Sequence, residues 1–172
     1  MQVRIRPARV DDVRAIRALV EPLANDRVLV SKDAVAYYES IQQFLVAETT
    51  ETTVATGTGL AGFGALHVLW EDLAEVRTLA TDPAYRHRGI GHQLLEALLD
   101  RARGLGVQRV FCLTFEVDFF RAHGFAPIEG TPVEPEVYAQ LLRSYDEGVA
   151  EFLDLDRVKP NTLGNTRMLR TL

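Results

Sequence analysis

The stretch "ATDPAYRHRGIGHQLLEALLDRA", residues 80–102, decides the fold. It reads as the end of a strand, a charged turn and an amphipathic helix. Ile90, Leu94, Leu95, Leu98, Leu99 and Ala102 recur at helical spacing and make one broad apolar face, with Gly104 or Gly106 to stop the helix. The first amides of a helix have no partner inside it, and the macrodipole adds partial positive charge there. Gly89 and Gly91 bare the main chain at that point, and Arg86, His87 and Arg88 add cationic side chains. The combination suits a bulky anion such as a phosphate or pyrophosphate; a plain structural turn is the competing reading. A P-loop is excluded because no G-K-[ST] follows, and a dinucleotide fingerprint fails because its third glycine would fall at Leu94.

Working outward, "VRIRPA" alternates apolar and charged residues and predicts an edge strand. Asp11 and Asp12 offer an N-cap to a helix whose stripe, Val13, Ile16, Leu19 and Val20, ends near Pro22. Asp33 offers a cap to a second helix, "AVAYYESIQQF". "FLVAE" predicts a strand, "TTETTVATGTG" a polar turn region, and "LAGFGALHVLW" and "AEVRTLAT" two long neighbouring strands joined at Glu71 and Asp72. Beyond the glycine turn, "QRVFCLT" predicts a strand, "VDFFRAHGF" a short helix running into a strand, and "PEVYAQLLRSYDEG" one further helix. The tail "VKPNTLGNTRMLRTL" predicts a loop feeding a last strand. A meander followed by a strand–helix–strand unit predicts an α/β (α+β) fold with a mixed twisted sheet and helices on both faces, as a single domain over residues 1–172.

Composition bounds the function. Apolar residues make up 47% and charged residues 25%, an ordinary globular balance. A net charge of −5 and a pI of about 5.4 disfavour a general nucleic-acid or anionic-membrane surface, while leaving room for a small basic pocket. The single cysteine, Cys112, excludes an internal disulfide. The charged start and the lack of a membrane-length apolar run predict a cytoplasmic location.

Arg86-His87-Arg88-Gly89-Ile90-Gly91 resembles the [RQ]-x-x-G-x-[GA] acetyl-CoA loop of the GNAT acetyltransferases. "EVRTLATDPAYR" looks like the approach to that loop, and "FFRAHGF" resembles the helix-to-strand element written F-Y-x-x-x-G-F. The resemblance implies the GNAT acyl-CoA N-acyltransferase fold, with acetyl-CoA as donor and no metal. It implies that main-chain amides from Arg88 through Gly89, Ile90, Gly91 and His92 to Gln93 hold the CoA pyrophosphate, with Arg86 and His87 as further cofactor-binding residues that add charge. The strand around Leu79, Ala80 and Thr81 would pair with the pantetheine arm. "GALHVLWEDLAEVRTLATDP", "FFRAHGFAPIEGTPVE" and "EFLDLDRVKPNTLGNTRML" further resemble the short, kinase-less amino-acid N-acetyltransferases, which acetylate L-glutamate or L-glutamine at the start of arginine synthesis. That resemblance spans essentially the whole chain. It implies that the amino-acid-kinase domain of the longer synthases, with its arginine site, is missing, and it allows a homodimer. Another amine or a protein N-terminus as acceptor, or a non-catalytic acyl-CoA sensor, are the rival readings.

On the acceptor side, Glu75 and Arg77 share one face of a strand. Burying either charge is costly unless it is paired or used. They either neutralise each other or line a substrate cleft as base and cation; the family resemblance supports Glu75 as the base. A main-chain N–H near Leu79 or Ala80 is the expected oxyanion donor. Two carboxylates on glutamate call for at least two cations or equivalent donors, with Lys32, Arg77, Lys159, Asn165 and Arg167 as candidates and Arg27 and Asn161 as lesser ones. Phe120 stands where the family often has a tyrosine acid, which leaves water, Tyr145 or no acid. Cys112 reads as a core thiol, Trp70 and the Phe119–Phe120 pair as packing. His67 reads as a hydrogen-bonded strand histidine or a second base, and His67, His87, His92 and His123 show no metal-ligand spacing.

Overall fold

The computed structural model describes residues 2–26, 29, 32–51, 57–159 and 164–172. Seven strands form one mixed sheet in the order β1-β2-β3-β4-β5-β7-β6. They are β1 (Val3–Pro7), β2 (Phe44–Thr49), β3 (Leu60–Trp70), β4 (Leu73–Thr81), β5 (Arg109–Thr114), β6 (Ala126–Pro127) and β7 (Thr166–Thr171). The helices are α1 (Val13–Asn25), α2 (Ala34–Glu39), α3 (Ile90–Gly104), α4 (Val117–Ala122), α5 (Pro135–Leu141) and α6 (Glu147–Phe152). The chain forms two compact units, Met1–Leu66 with Thr78–Arg101, and His67–Arg77 with Ala102–Leu172.

In the first unit β1 pairs antiparallel with β2, and β2 with β3. Its core gathers Val13, Ile16, Leu19, Val20 and Leu23 of α1 around Tyr37, Phe44 and Phe63. The Tyr37–Phe44 and Phe44–Phe63 rings lie 6.1 and 6.4 Å apart. Gly62 and Gly64 of β3 bring α3 and β4 close. A Cβ on Gly62 would stand 2.8 Å from the Ala80 carbonyl oxygen and 3.0 Å from Leu94 Cδ1; one on Gly64 would stand 2.9 Å from both Leu79 Cδ1 and Leu98 Cδ1. The six predicted apolar residues of α3, Ile90 through Ala102, are each at most 1% exposed.

In the second unit β4 and β5 run parallel, and the register covers only Leu73–Glu75 against Arg109–Phe111. β5 and β6 both pair antiparallel with β7, so the last strand is inserted between two earlier ones. Phe111 and Phe152 meet edge-to-face at 5.2 Å inside a core with Leu69, Leu73, Leu141, Val149 and Leu153. Of the two predicted stops for α3, Gly106 is the left-handed one, at φ 82°. Val107 N–H bonds Ala102 O and Gly106 N–H bonds Arg103 O, both at 3.0 Å, the paired bonds of a Schellman cap.

Several element boundaries differ from expectation. The first helix does not end near Pro22 but runs to Asn25 with the proline inside it. Pro22 removes one ladder bond, yet the extra turn buries Leu23 to 8% exposure, and tertiary packing outweighs the local cost. Asp12 makes no cap bond to α1; its carboxylate takes Arg6 at 2.8 and 2.9 Å and the Arg9 amide at 2.7 Å instead. Asp33 stands at the N-cap of α2 without a side-chain bond, and that helix stops at Glu39 before a 3-10 turn. The single helix expected over "PEVYAQLLRSYDEG" is two, because Asp146 starts a new one, its carboxylate accepting from Val149 N–H at 3.1 Å. The predicted polar turn falls partly outside the described residues.

Candidate active site

In the first unit β4 leads into the glycine turn. Thr78 has φ 55°, a left-handed conformation that a β-branched residue adopts only against steric cost, about 1–3 kcal/mol. Leu79, Ala80 and Thr81 follow it directly to the end of β4. Asp82, 2% exposed, then fixes the turn: its amide donates to Ala61 O at 2.9 Å and its Oδ1 accepts from Ala84 N–H at 2.8 Å. Tyr85 is buried, and the Arg88 guanidinium lies over its ring at 5.4 Å, a contact worth about 0.5–1 kcal/mol at an exposed site. Arg86, His87 and Arg88 are all exposed.

Gly89 has φ 75°, and a Cβ there would meet nothing within 4 Å, so the glycine serves backbone conformation and open approach rather than packing. Its carbonyl accepts from Gln93 N–H at 3.0 Å. The Gln93 amide is thereby committed to the helix, and the predicted anion cradle narrows to the amides ahead of it. Ile90 contributes main chain only, its side chain being buried.

In the second unit the predicted pair on β4 is one half of a larger cluster. Glu75 is 3% exposed. Arg77 Nε donates to Glu75 Oε2 at 3.0 Å and its Nη2 lies 2.7 Å from the same oxygen. The other edge of the guanidinium grips Asp146, Nη1 to Oδ2 at 2.9 Å and Nη2 to Oδ1 at 2.8 Å. His67 Nε2 stands 3.5 Å from Asp146 Oδ2. Burial pushes the Asp146 carboxyl upward, but the Arg77 hydrogen bonds and charge, His67 and the Val149 amide outweigh it and hold it down to about 2. Burial also lowers the Arg77 guanidinium, and the two carboxylates raise it further than burial lowers it. Gly148 is packed against the cluster: a Cβ would lie 2.0 Å from Glu75 Oε2 and 2.7 Å from Arg77 Nη2.

The remaining predicted acceptor residues have different surroundings. Arg167 donates to the main-chain carbonyls of Glu151 at 3.1 Å, Gly130 at 2.9 Å and Phe152, and lies over the Phe111 ring at 6.0 Å. Burial lowers its guanidinium. Lys159 Nζ lies 3.3 Å from Asp156 Oδ1, Asn165 is half-buried, and Lys32 is exposed. Arg27 and Asn161 lie outside the described residues. Phe120 is 6% exposed between Phe119 and Phe125, each ring at 5.2 Å, and Tyr145 is 99% exposed. Cys112 is buried, and burial, reinforced by Glu75, pushes its thiol upward. Trp70 is half-buried against the second core.

Asp146, Gly148 and Thr78 are the residues that sequence reasoning missed. The Asp-Glu-Gly run at 146–148 carries an N-cap signal that marks a helix start. Nothing local announces that Asp146 meets a guanidinium 69 residues earlier.

A mixed sheet, a left-handed residue within β4 and a glycine turn opening α3 are the arrangement expected of an acyl-CoA-dependent acyltransferase. The model of the acetyltransferase (GNAT) family matches residues 16–126, and the chain belongs to that family. The amino-acid acetyltransferase of Mycobacterium tuberculosis is 54% identical over 168 residues, 98% of this chain and 94% of that one. The amino-acid acetyltransferase of Pseudomonas aeruginosa is 34% identical over 126 residues, covering 72% of this chain; the chain spans only 28% of that relative's length. A solved structure of Rv2747 from Mycobacterium tuberculosis in complex with CoA and NLQ matches with a TM-score of 0.91 at 53% identity, over 98% of this chain and 99% of that one. N-acetylglutamate synthase from Neisseria gonorrhoeae, complexed with coenzyme A and N-acetyl-glutamate, matches at 0.76 and 24% identity, over 100% of this chain and 35% of that one; this likeness shows the fold. The resemblance read from the glycine turn, and the fold it implied, are borne out. No helix among the described residues is long and apolar enough to cross a membrane.

Proposed function

We propose that the protein is an amino-acid N-acetyltransferase that moves the acetyl group of acetyl-CoA to the α-amine of L-glutamate or L-glutamine, opening arginine synthesis. The run from left-handed Thr78 through Leu79–Thr81 to the glycine turn carries the donor side of this reading. The 54% identity to an amino-acid acetyltransferase supports the acceptor side. The pyrophosphate rests on the amides between Arg88 and His92, with Arg86 and Arg88 as counter-charges. The pantetheine arm pairs with the main chain of Leu79–Thr81.

An α-amine is mostly protonated near neutrality and must lose a proton before it attacks. Glu75 takes that proton, directly or through a bound water. The amine then forms a C–N bond to the thioester carbon, and the carbonyl oxygen becomes an oxyanion met by a main-chain N–H at Leu79 or Ala80. Collapse re-forms the carbonyl, breaks the C–S bond and releases CoA thiolate, while the nitrogen gives its second proton to solvent; we assign no acid to the thiolate. Lys32, Lys159 and Asn165 are the proposed contacts to the acceptor's carboxylates. Arg77 and Arg167 remain candidates beside them, their guanidinium groups also holding the acceptor side in shape.

The test is thiol release from acetyl-CoA in the presence of each proteinogenic amino acid in turn. Turnover is expected to be highest with glutamate or glutamine. Background rates with every amino acid would overturn the proposal, and equal rates with glutamate, glutamine and aspartate would reduce it to the enzyme class.

A further inference from the structure

Asp146 stands directly before α6, and its carboxylate does two jobs at once. Oδ1 accepts from Val149 N–H at 3.1 Å and so caps the helix. Both oxygens also take the fork of Arg77, at 2.9 and 2.8 Å, a geometry that sets the plane of a guanidinium as well as its place. The same guanidinium turns its other edge to Glu75 Oε2. Two residues after Asp146, Gly148 leaves the space that the Glu75 carboxylate fills. The start of α6 therefore supplies both a clamp and a vacancy to one buried group on β4.

Charge balance does not require the clamp. Arg77 and Glu75 already neutralise each other; Asp146 is only partly buried and has His67 beside it as a further partner, so its fork on Arg77 adds orientation to a pair already balanced. Asp146 and Gly148 both lie beyond residues 16–126, the part that the family model matches. From these contacts we infer that Asp146 is a positioning residue of the acceptor side: by holding Arg77 in one plane it sets the direction in which the Glu75 carboxylate receives the proton of the amine. The inference rests on the proposed role of Glu75 as base. Among the described residues, the charged and titratable groups around Glu75 include Arg77 on β4, Asp146 before α6, His67 on β3 beside Asp146, and Cys112 on β5.

The experiment compares D146N, D146E and E75Q in the full chain by thiol release across pH, with a melting curve for each. Asn keeps the shape and remains a good N-cap, so D146N retains α6 while losing one charge and half of the fork. Its kcat is expected to fall about 10- to 100-fold. KM for acetyl-CoA should stay within about twofold, because that substrate's contacts are elsewhere. The acid limb of kcat against pH should move to lower pH, since a negative charge facing the base is gone. D146E should restore the acid limb but only part of kcat, its extra methylene displacing the fork. D146N with wild-type kcat and an unmoved pH profile, beside an inactive E75Q, overturns the inference and leaves the base standing. A loss in D146N that follows only the folded fraction overturns it equally. E75Q with wild-type kcat overturns the base itself, and this inference with it.

Discussion

A hydrogen atom at position 148 decides how Glu75 is held. Glycine here is not at positive φ; what it provides is room, since a methyl would stand 2.0 Å from a carboxylate oxygen. G148A should therefore open the Glu75–Arg77–Asp146 cluster and cost about 1–3 kcal/mol, the range for an overpacked interior. G104A is the matched control: a Cβ there meets nothing within 4 Å, and alanine at the last position of α3 should be neutral or slightly stabilising. Denaturant midpoints and kcat of the two variants check this. Equal stability for both would mean that the cluster has slack that its distances do not show. The sharing of a face by Glu75 and Arg77 was legible from their spacing alone. Of the two open readings, the structure shows the mutual pairing; the working base is the proposal that E75Q tests. Arg77 is shared between Glu75 and Asp146.

The decisive element is the turn into α3. Its apolar face was readable because burial of a helix leaves a 3.6-residue period in the sequence, and all six residues of that face are buried. Its polar end was readable because positive φ at Gly89 and exposed arginines leave a compositional mark. R86A combined with R88A should raise KM for acetyl-CoA far more than KM for the amino acid, in steady-state measurements with each substrate varied. The opposite pattern would mean that the anion at this turn is the acceptor. The pressing of α3 against β3 rests on Gly62 and Gly64, whose place inside a strand is itself a sign of close approach.

Over the whole molecule, acid sensitivity follows from two buried-side carboxylates whose folded values lie below the usual range. Asp146 is held to about 2 by Arg77 against the opposing effect of burial. Asp12 is lowered as Arg6 and the Arg9 amide outweigh its own burial. A depressed carboxylate stabilises the fold above its unfolded value, 3.8, and that contribution is lost as pH falls through the folded value. Urea midpoints should thus drop between about pH 4 and about pH 2 and change little from there to neutrality. D146N should flatten part of that drop. A midpoint that falls steeply above about pH 5 would place the acid-labile group elsewhere.

Taken alone, the residue order determined what depends on neighbours in sequence: the six-residue face of α3, the glycine turn ahead of it, the alternation of β1 and the long pair β3 and β4; the family was legible through the resemblance of that turn to a known acetyl-CoA loop. Burial and backbone conformation act locally there, so they write themselves into local spacing. Tertiary structure alone decided the rest. α1 continues through Pro22 because Leu23 finds a core; β7 enters between β5 and β6 because its partners wait far back in the chain. Asp146 reaches Arg77 across 69 residues. A long-range ion pair has no period and no fixed spacing, only a place in space, and that is why the clamp on Glu75 had to be seen folded.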